Sequence, residues 1–393
     1  MVKINSFTDR GIYNDLLRKF YNEGHEVFSV CPIERREKKK THLRKEKEGT
    51  ILNVQTFNLQ KTNVIEKGIG TLAIEYQFLY AIKKYLADIK FDLIIYSAPP
   101  ITFSKVIDYM KKRDNAYSYL LLKDIFPQNA IDMQLLKENG ILHNIFLKKE
   151  KRLYALSDMI GCMSEANKKY ILKHNPEISF EKVEVNPNTI EPIVLVQNNL
   201  EKIAIKEKYN LPLDKKIFVY GGNLGKPQGV DFLLETIQSN SNEHVFFVIV
   251  GSGTEYKKMN EWFQLKQPLN ALLLNGLPKS DYDLLLNACD IGMIFLHKDF
   301  TIPNFPSRML SYLEMKKPII AATDPNTDIG EIIEKNKCGF SVISGDIFAM
   351  NEAIEKIVNE MEQPFMQENA WNLLKNEFTI DKSYNLIAQK INV

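Results

Sequence analysis

The residues best placed for chemistry lie between Thr301 and Asp328, in TIPNFPSRMLSYLEMKKPIIAATDPNTD. Ile291–Leu296 reads as a buried strand. A polar loop follows, then a Pro306-Ser307-Arg308 turn into a short helix, then a second strand, Pro318–Ala322. A hydroxyl and a cation at a helix N-terminus after a strand make an anion site, because free backbone N–H groups and the helix dipole already point there. Arg308 adds a forked donor suited to phosphate. The same features also describe a capped surface helix with a solvated arginine, so this segment alone leaves both readings open.

Three glycine turns precede it. Phe218-Val219-Tyr220-Gly221-Gly222-Asn223-Leu224-Gly225-Lys226-Pro227-Gln228-Gly229 reads as strand, glycine-rich turn and helix start, which can cradle a phosphate. It is not a P-loop, since no Gly-Lys-Ser/Thr follows, and it lacks the acidic partner of a dinucleotide fingerprint. Val248-Ile249-Val250-Gly251-Ser252-Gly253 ends a second strand in Gly-x-Gly, and Asn275-Gly276-Leu277-Pro278 follows a third. Each turn alone fits a plain tight turn. In order and in series, at strand ends, they mark a ligand site of an α/β sheet.

These turns need a scaffold of alternating strands and helices, and apolar runs supply one along the whole chain. In the first half the spacing predicts strands at His25–Val30, Ile51–Gln55, Phe91–Ser97, Ser118–Leu122 and Met159–Met163. Helices are predicted at Ile12–Asn22, Thr71–Ile89, Ile101–Arg113, Ile145–Leu156 and Glu165–His174. In the second half the strands are Lys216–Tyr220, His244–Val250, Ala271–Asn275, Ile291–Leu296 and Pro318–Ala322. The helices there are Val230–Ser239, Tyr256–Leu265, Asp281–Cys289 and Asp328–Lys335, and Asp381–Ile391 closes the chain as an amphipathic helix. Pro187 and Pro192 bracket polar residues and place a domain boundary near Asn186–Pro192.

At 393 residues the chain is long enough for two domains. Apolar content of 45% and charged content of 25% are those of a globular protein. No apolar run approaches the roughly 20 residues that span a bilayer, and no signal peptide is legible, so a cytoplasmic location is expected. Cys31, Cys162, Cys289 and Cys338 have neither zinc nor redox spacing and read as buried thiols. A net charge of +2 gives no reason to expect nucleic acid. The run ERREKKKTHLRKEKE, Glu34–Glu48, concentrates Arg35, Arg36, Lys38, Lys39, Lys40, Arg44, Lys45 and Lys47. It reads either as a solvated loop or as a contact for anionic lipid headgroups.

Pro306-Ser307-Arg308-Met309-Leu310, Tyr312 and Lys317-Pro318-Ile319-Ile320-Ala321 resemble the donor-site signature of nucleotide-sugar glycosyltransferases of family 4, and most closely the bacterial enzymes that build capsule or O-antigen repeat units. With the glycine turns in the same order, the resemblance covers nearly the whole chain, strongly in the second half and weakly before Asp92. It implies an α/β chain of the GT-B fold, two Rossmann-like domains whose parallel sheets face a central cleft. Residues 1–188 would be the acceptor-side domain and 189–380 the nucleotide-sugar-binding domain. Residues 381–393 would form a helix crossing back to the first.

The same resemblance implies donor contacts from Gly11, Gly222, Asn223, Lys226, Gly251, Gly253, Gly276, Leu277, Ser307, Arg308 and Ser311. Most family members carry an arginine and a later lysine in the first turn. Here Asn223 and Gln228 stand in their places, which leaves Lys226. Lys226 and Arg308 together would take the part of a divalent metal, so neither metal nor cofactor is expected. The family's two glutamates are replaced by Pro303 and Ser311; Glu314, three residues on, either compensates or is solvated. Gly11 either faces the donor phosphates or belongs to the turn that caps the following helix. Family members open with a buried strand, for which only Val2-Lys3-Ile4 is available, so the first strand is short or the true start lies upstream.

On the acceptor side, Leu122–Asn129 resembles the subgroup's Asp-x-x-Pro segment. Asp124 would orient or deprotonate an acceptor hydroxyl, or else cap the helix after Pro127. His25, His42 and His143 lie at a strand start, in the basic run and at a helix approach, which disfavours histidine catalysis. The resulting expectation is a cytoplasmic, metal-independent, retaining enzyme. It would move a hexosyl or N-acetylhexosaminyl group from a UDP-sugar to an undecaprenyl-diphosphate-linked saccharide, at an anionic inner-membrane surface. The alternatives are a nucleotide-sugar 2-epimerase of the same fold and a non-catalytic partner subunit.

Overall fold

In the computed structural model, which describes residues 3–58, 64–196, 198–360 and 364–391, the chain divides into two units. One is Met1–Glu191 with Thr379–Val393, and the other is Pro192–Phe378.

Unit 1 runs α1 Ile12–Asn22, β1 Phe28–Glu34, β2 His42–Glu46, β3 Gly49–Thr56, α2 Val64–Tyr85, β4 Leu93–Ala98, α3 Ser104–Asp114 and β5 Tyr117–Leu122. It continues through α4 Gln128–Asp132, α5 Ile141–Leu156, β6 Met159–Cys162, α6 Glu165–His174 and β7 Val183–Val185. Its strands form two sheets, β1-β3-β2 and β4-β5-β6-β7. All pairings are parallel except β2 on β3. Ile51 and Leu52 sit on opposite faces of β3 and join different clusters, one with Leu16, Phe20 and Tyr119, the other with Ile74, Phe78 and Ile82. Burial on both faces explains why these strands read as apolar runs rather than alternations.

The basic run Glu34–Glu48 is not a loop. Arg35–Glu37 form a 3-10 turn, and His42–Glu46 pair antiparallel with β3, His42 opposite Asn53 and Glu46 opposite Gly49. Glu46 anchors the hairpin by accepting from Ser6 Oγ at 2.8 Å and Phe7 N–H at 2.9 Å, while Arg44 donates to the Asn5 carbonyl. Lys38, Lys39, Lys40, Lys45 and Lys47 remain exposed.

Unit 2 runs α7 Asn199–Lys208, β8 Lys216–Asn223, α8 Val230–Ser239, β9 Val245–Ser252, α9 Tyr256–Lys266, β10 Ala271–Asn275 and α10 Lys279–Ala288. It continues through β11 Ile291–Phe295, α11 Arg308–Glu314, β12 Ile319–Thr323, α12 Ile329–Lys335, β13 Gly339–Ile343, α13 Ile347–Glu360 and α14 Pro364–Glu377. Asn198 opens α7 with a capping box: its side chain accepts from Glu201 N–H at 2.9 Å, and Glu201 accepts from Asn198 N–H at 2.8 Å. The six strands form one parallel sheet in the order β10-β9-β8-β11-β12-β13. The order reverses between β8 and β11, the point where such sheets hold ligands beyond their strand C-termini. Phe218, Tyr220, Phe247, Ile249, Met293, Phe295 and Ile320 fill its core.

The last helix, α15 Ile380–Ala388, belongs to unit 1. The Ile380 N–H donates to the Ile190 carbonyl at 2.9 Å. Tyr384 meets Phe20 edge-on at 4.9 Å between ring centres, and Asp381 pairs with Lys19 at 2.7 Å. All four cysteines are buried and unbridged.

Candidate functional site

Because the unit 2 sheet is parallel, β8, β9, β10, β11 and β12 all finish at one edge. Gly222 is opposite Gly251 on the neighbouring strand, and Gly251 is opposite Asn275 on the next. The three glycine turns therefore form one row. Gly222 has φ +127°, a conformation that L side chains avoid. Glycine at 251 and 253 is demanded first by the protein's own backbone. A Cβ at Gly251 would lie 2.1 Å from the Gly222 carbonyl oxygen, and one at Gly253 would lie 2.2 Å from that of Leu224. At Gly276 the nearest atom is Ser252 Oγ at 3.6 Å, so the backbone there stands open, with Leu277 half-buried behind it.

Across the switch point, β11 leads into the loop that ends at Arg308. The segment after β12 pins that loop: Asn326 Nδ2 donates to the Phe300 carbonyl at 2.6 Å and Thr327 Oγ1 to that of Asn304 at 2.6 Å. Ser307 is exposed at the N-cap of α11 and caps no N–H with its side chain. The Arg308 guanidinium turns inward instead, and the capped-surface-helix reading does not hold for it. It stacks on Tyr220, 4.1 Å from the ring centre, and a Cβ on Gly222 would meet Arg308 Nη2 at 3.6 Å. Arg308 Nη1 is buried without a hydrogen-bond partner, and no acid pairs with Arg308 among the described residues.

Three tyrosines enclose this cation. The Tyr220 hydroxyl donates to the Asn223 carbonyl at 2.9 Å. That of Tyr312 donates to the Met293 carbonyl at 2.9 Å and accepts from Gly221 N–H at 3.3 Å. A Cβ on Gly221 would collide with the Tyr282 hydroxyl. Burial pushes the phenol of Tyr312 up to about 12 and raises those of Tyr220 and Tyr282, so all three stay neutral. A desolvated, uncompensated guanidinium is costly unless an anion comes to it. Of these tyrosines, Tyr312 lies within the donor-site signature and Tyr220 at the strand end that leads into the first glycine turn. Nothing in the sequence marks Tyr220 or Tyr282 as a neighbour of Arg308, since one is a buried strand residue and the other a half-buried helix residue.

Asn223 and Gln228, which replace two cations of the resembling family, are joined to each other. Asn223 Nδ2 donates to Gln228 Oε1 at 2.8 Å, and Gly225 N–H donates to the same oxygen at 3.1 Å. Lys226 stands exposed in the 3-10 turn Lys226–Gln228. Ser311 lies half-buried one turn along α11 from Arg308. Glu314 is neither solvated nor aimed at this edge. Its buried carboxylate accepts from Ile193 N–H at 2.9 Å, tying α11 to the segment that enters unit 2.

Gly11 and Asp124 belong to unit 1. Gly11 is the N-cap of α1 with an extended φ of 162° that any residue could adopt. Its N–H donates to Asp15 Oδ1 at 3.1 Å, and Asp15 also pairs with Arg18 at 2.6 Å. Asp124 follows β5. It does not cap α4, whose N-cap is Pro127 with no side-chain cap. Its carboxylate accepts instead from the Asn129 side-chain amide. Burial lifts the Asp124 carboxyl to about 6, against the pull of the Ile125 N–H and Asn129. Beside it, burial lowers Lys123 to about 7, and its ammonium donates to the Pro187 carbonyl at 3.4 Å. Lys123 carries no spacing signal that sequence reading could use. Among the described residues, no group of three or more His, Cys, Asp or Glu could hold a metal ion, and no helix is long and apolar enough to cross a membrane.

Residues 201–370 match the family model of "Glycosyl transferases group 1", a segment that contains β8 to β13. Probable glycosyltransferase WbjE of Pseudomonas aeruginosa is 22% identical over 312 residues, 76% of this chain and 73% of the relative. Putative colanic acid biosynthesis glycosyl transferase WcaI of Escherichia coli is 25% identical over 195 residues, 48% of this chain and 45% of the relative. Among solved structures, Anabaena HepE in complex with UDP-glucose superposes with a TM-score of 0.71 at 13% identity, covering 99% of this chain and 98% of that one. The fold is thus the α/β GT-B fold of glycosyltransferases.

Proposed function

We propose that this protein is a family 4 glycosyltransferase. It would move a sugar from a nucleoside-diphosphate donor, most simply a UDP-linked N-acetylated sugar, onto a lipid-linked saccharide during bacterial cell-surface polysaccharide synthesis. The observation that carries the reading is Arg308: its Nη1 buried without a hydrogen-bond partner, no acid pairing with it among the described residues, ringed by neutral phenols and set beside Gly222 at the switch point. A diphosphate is the anion that such a forked donor matches. The match over residues 201–370 and the UDP-glucose held by HepE support it.

In the proposed reaction the bond from sugar C1 to the diphosphate oxygen breaks, and the acceptor hydroxyl oxygen bonds C1 from the same face. The hydroxyl proton passes to the departing diphosphate. Arg308 and Lys226 take up the developing charge without a metal; the backbone at Gly222 and Ser307 would approach phosphate and sugar, and Gly251 and Gly253 would hold the neighbouring turn against them. Gly276 and Leu277 offer backbone to the base, and Ser311 a hydroxyl to the ribose. Asp124, mostly ionised at pH 7 with its carboxyl near 6, orients the acceptor hydroxyl. The exposed lysines around β2 would meet an anionic inner-membrane surface, where undecaprenyl-diphosphate-linked acceptors reside.

The test is a transfer assay with radiolabelled UDP-glucose, UDP-N-acetylglucosamine and UDP-N-acetylgalactosamine and an undecaprenyl-diphosphate monosaccharide in detergent. Label should move into the lipid phase for one donor, and Arg308→Ala should abolish it. Failure to bind UDP saturably, together with no transfer from any donor, would sink the proposal.

A further inference from the structure

Unit 2 holds a cavity of about 640 Å³ at the sheet edge opposite the glycine turns. Asp290 immediately precedes β11 and Lys317 stands two residues before β12, so the cavity lies at strand N-termini. The C-terminal ends of α10 and α11 bound it, together with α7 and with Trp371 of α14. It shares no residue with the donor site proposed above, which lies at the strand C-termini. Four lysines line it, Lys202 and Lys206 from α7 and Lys316 and Lys317 after α11. Its two acids are both engaged. Asp290 accepts from the Ile217 N–H at 2.7 Å and pairs with Lys206 at 3.8 Å, and Glu314 accepts from the Ile193 N–H at 2.9 Å. Lys316 pairs with Glu368 at 3.1 Å. Burial lifts the Cys289 thiol in the wall to about 12, so it adds no negative charge. Among the described residues, Lys202 and Lys317 have no acid partner.

Lys317 is only 8% exposed. Its ammonium donates to the Asn287 carbonyl in the last turn of α10 at 2.8 Å. That contact uses one of three N–H donors and sets roughly half a negative charge against a full positive one. Burial, reinforced by the charges of Lys202 and Lys206, brings the Lys317 ammonium down to about 8, so it stays mostly protonated at pH 7. A desolvated cation beside like charges is costly, and an anion that comes to it recovers the cost. Lys202, Lys206 and Lys317 are near enough to feel one another's charge, and a phosphate ester has oxygens to share among all of them. The cavity has the size of an organic ligand's site, not of a bare ion's. Its other walls are apolar: the Trp371 ring, 5.6 Å from the Lys316 ammonium, with Leu195, Ile203 and Leu213 and the exposed Val194 and Val196.

We propose that this cavity binds a phosphate ester with an apolar or aromatic body, its phosphate on Lys202, Lys206 and Lys317 and its body against Trp371 and Leu195. A soluble organic phosphate and the headgroup of an anionic lipid share that chemistry, and both are tested below. The proposal is independent of the glycosyl-transfer reading.

Trp371 itself is the reporter. The chain has two tryptophans, so Trp262→Phe leaves Trp371 as the sole emitter. That protein is titrated with phenyl phosphate, with phenol, and with phosphatidylcholine vesicles that do or do not contain phosphatidic acid. Phenyl phosphate should change the emission saturably and phenol should not. Lys317→Met and Lys202→Glu should each weaken the binding at least 10-fold, while Arg308→Ala should leave it unchanged, which separates this cavity from the donor site. A response to phosphatidic acid vesicles alone, weakened by the same two lysine variants, supports the proposal with a lipid headgroup as the source. No saturable response to either phosphate probe overturns it, and so does a response that Lys202→Glu retains in full. Lys202 is half-buried on α7, so Lys202→Glu decides the matter by itself if Lys317→Met fails to fold.

Discussion

The Arg308 guanidinium stacks 4.1 Å from the centre of the Tyr220 ring, and Tyr220 gives its only polar atom to the Asn223 carbonyl at the end of the same strand. The arginine is thus held in place by an aromatic face rather than by a carboxylate. Its charge remains available to a ligand, and its position is fixed before any ligand arrives. Such prior orientation is what gives a buried donor its effect on a leaving group.

Arg308→Ala should weaken UDP binding far more than uridine binding, because the proposed partner is a phosphate. Loss of the charge-assisted contact should reduce transition-state stabilisation by about 2–4 kcal/mol. Arg308→Lys should recover little of it, since an ammonium neither forks nor stacks as a guanidinium does. Calorimetry that finds equal UDP affinity in parent and Arg308→Ala would remove Arg308 from the site.

Gly251 and Gly276 should separate packing from ligand approach. Gly251→Ala forces a Cβ to 2.1 Å from the Gly222 oxygen and should cost about 1–3 kcal/mol or more in urea denaturation. Gly276→Ala meets nothing closer than 3.6 Å and should alter stability by no more than about 0.5 kcal/mol. If the base lies on the Gly276 backbone, the second variant should bind UDP several-fold more weakly while melting like the parent. Unchanged affinity would move the base elsewhere.

Asp124→Asn should lower transfer by about 10²–10⁴-fold while leaving UDP affinity near parental. The stability of the variant should move the other way. The folded carboxyl titrates near 6 against an ordinary 3.8, so it binds its proton more tightly than the unfolded chain does. Its contribution is fully present below about pH 4 and is lost as pH rises through about 6. Asp124→Asn removes that loss, so the variant should be no less stable than the parent at pH 7.5, and its stability should fall less between pH 4 and 6. Parental transfer rates in a folded Asp124→Asn protein would make the residue structural.

Replacing Lys38, Lys39, Lys40, Lys45 and Lys47 with glutamine should reduce sedimentation with anionic liposomes and leave the hydrolysis of soluble donor unchanged. Arg44 is left in place because it holds the Asn5 carbonyl. The difference between variant and parent should vanish near 1 M salt, where the Debye length falls to about 3 Å. Equal pelleting at low salt would mean that these lysines are merely solvated.

Sequence reading succeeded where a segment's own residues decide its structure. Helix α1 and strand β10 lie at the residues their apolar spacing predicts, and the glycine turns lie at strand ends. It failed where the deciding contacts are remote. β2 is an edge strand solvated on both faces, so it has no apolar alternation, and its ladder to β3 and its Glu46 anchor are invisible locally. Glu314 reads as a solvated helix residue because its partner, Ile193, is 121 residues away in sequence. The tyrosine cage around Arg308 draws on β8, α10 and α11, and no short window contains all three.

The return of α15 to unit 1 also bears on the order of folding during synthesis. Residues 192–378 are contiguous, so unit 2 can close as soon as Phe378 clears the ribosome. Unit 1 cannot, because α1 keeps an uncovered flank at Phe20 until Tyr384, translated after the whole of unit 2, arrives to cover it. The domain that emerges first is therefore completed last, and for the time needed to translate unit 2 its apolar flank is a surface for chaperones to hold.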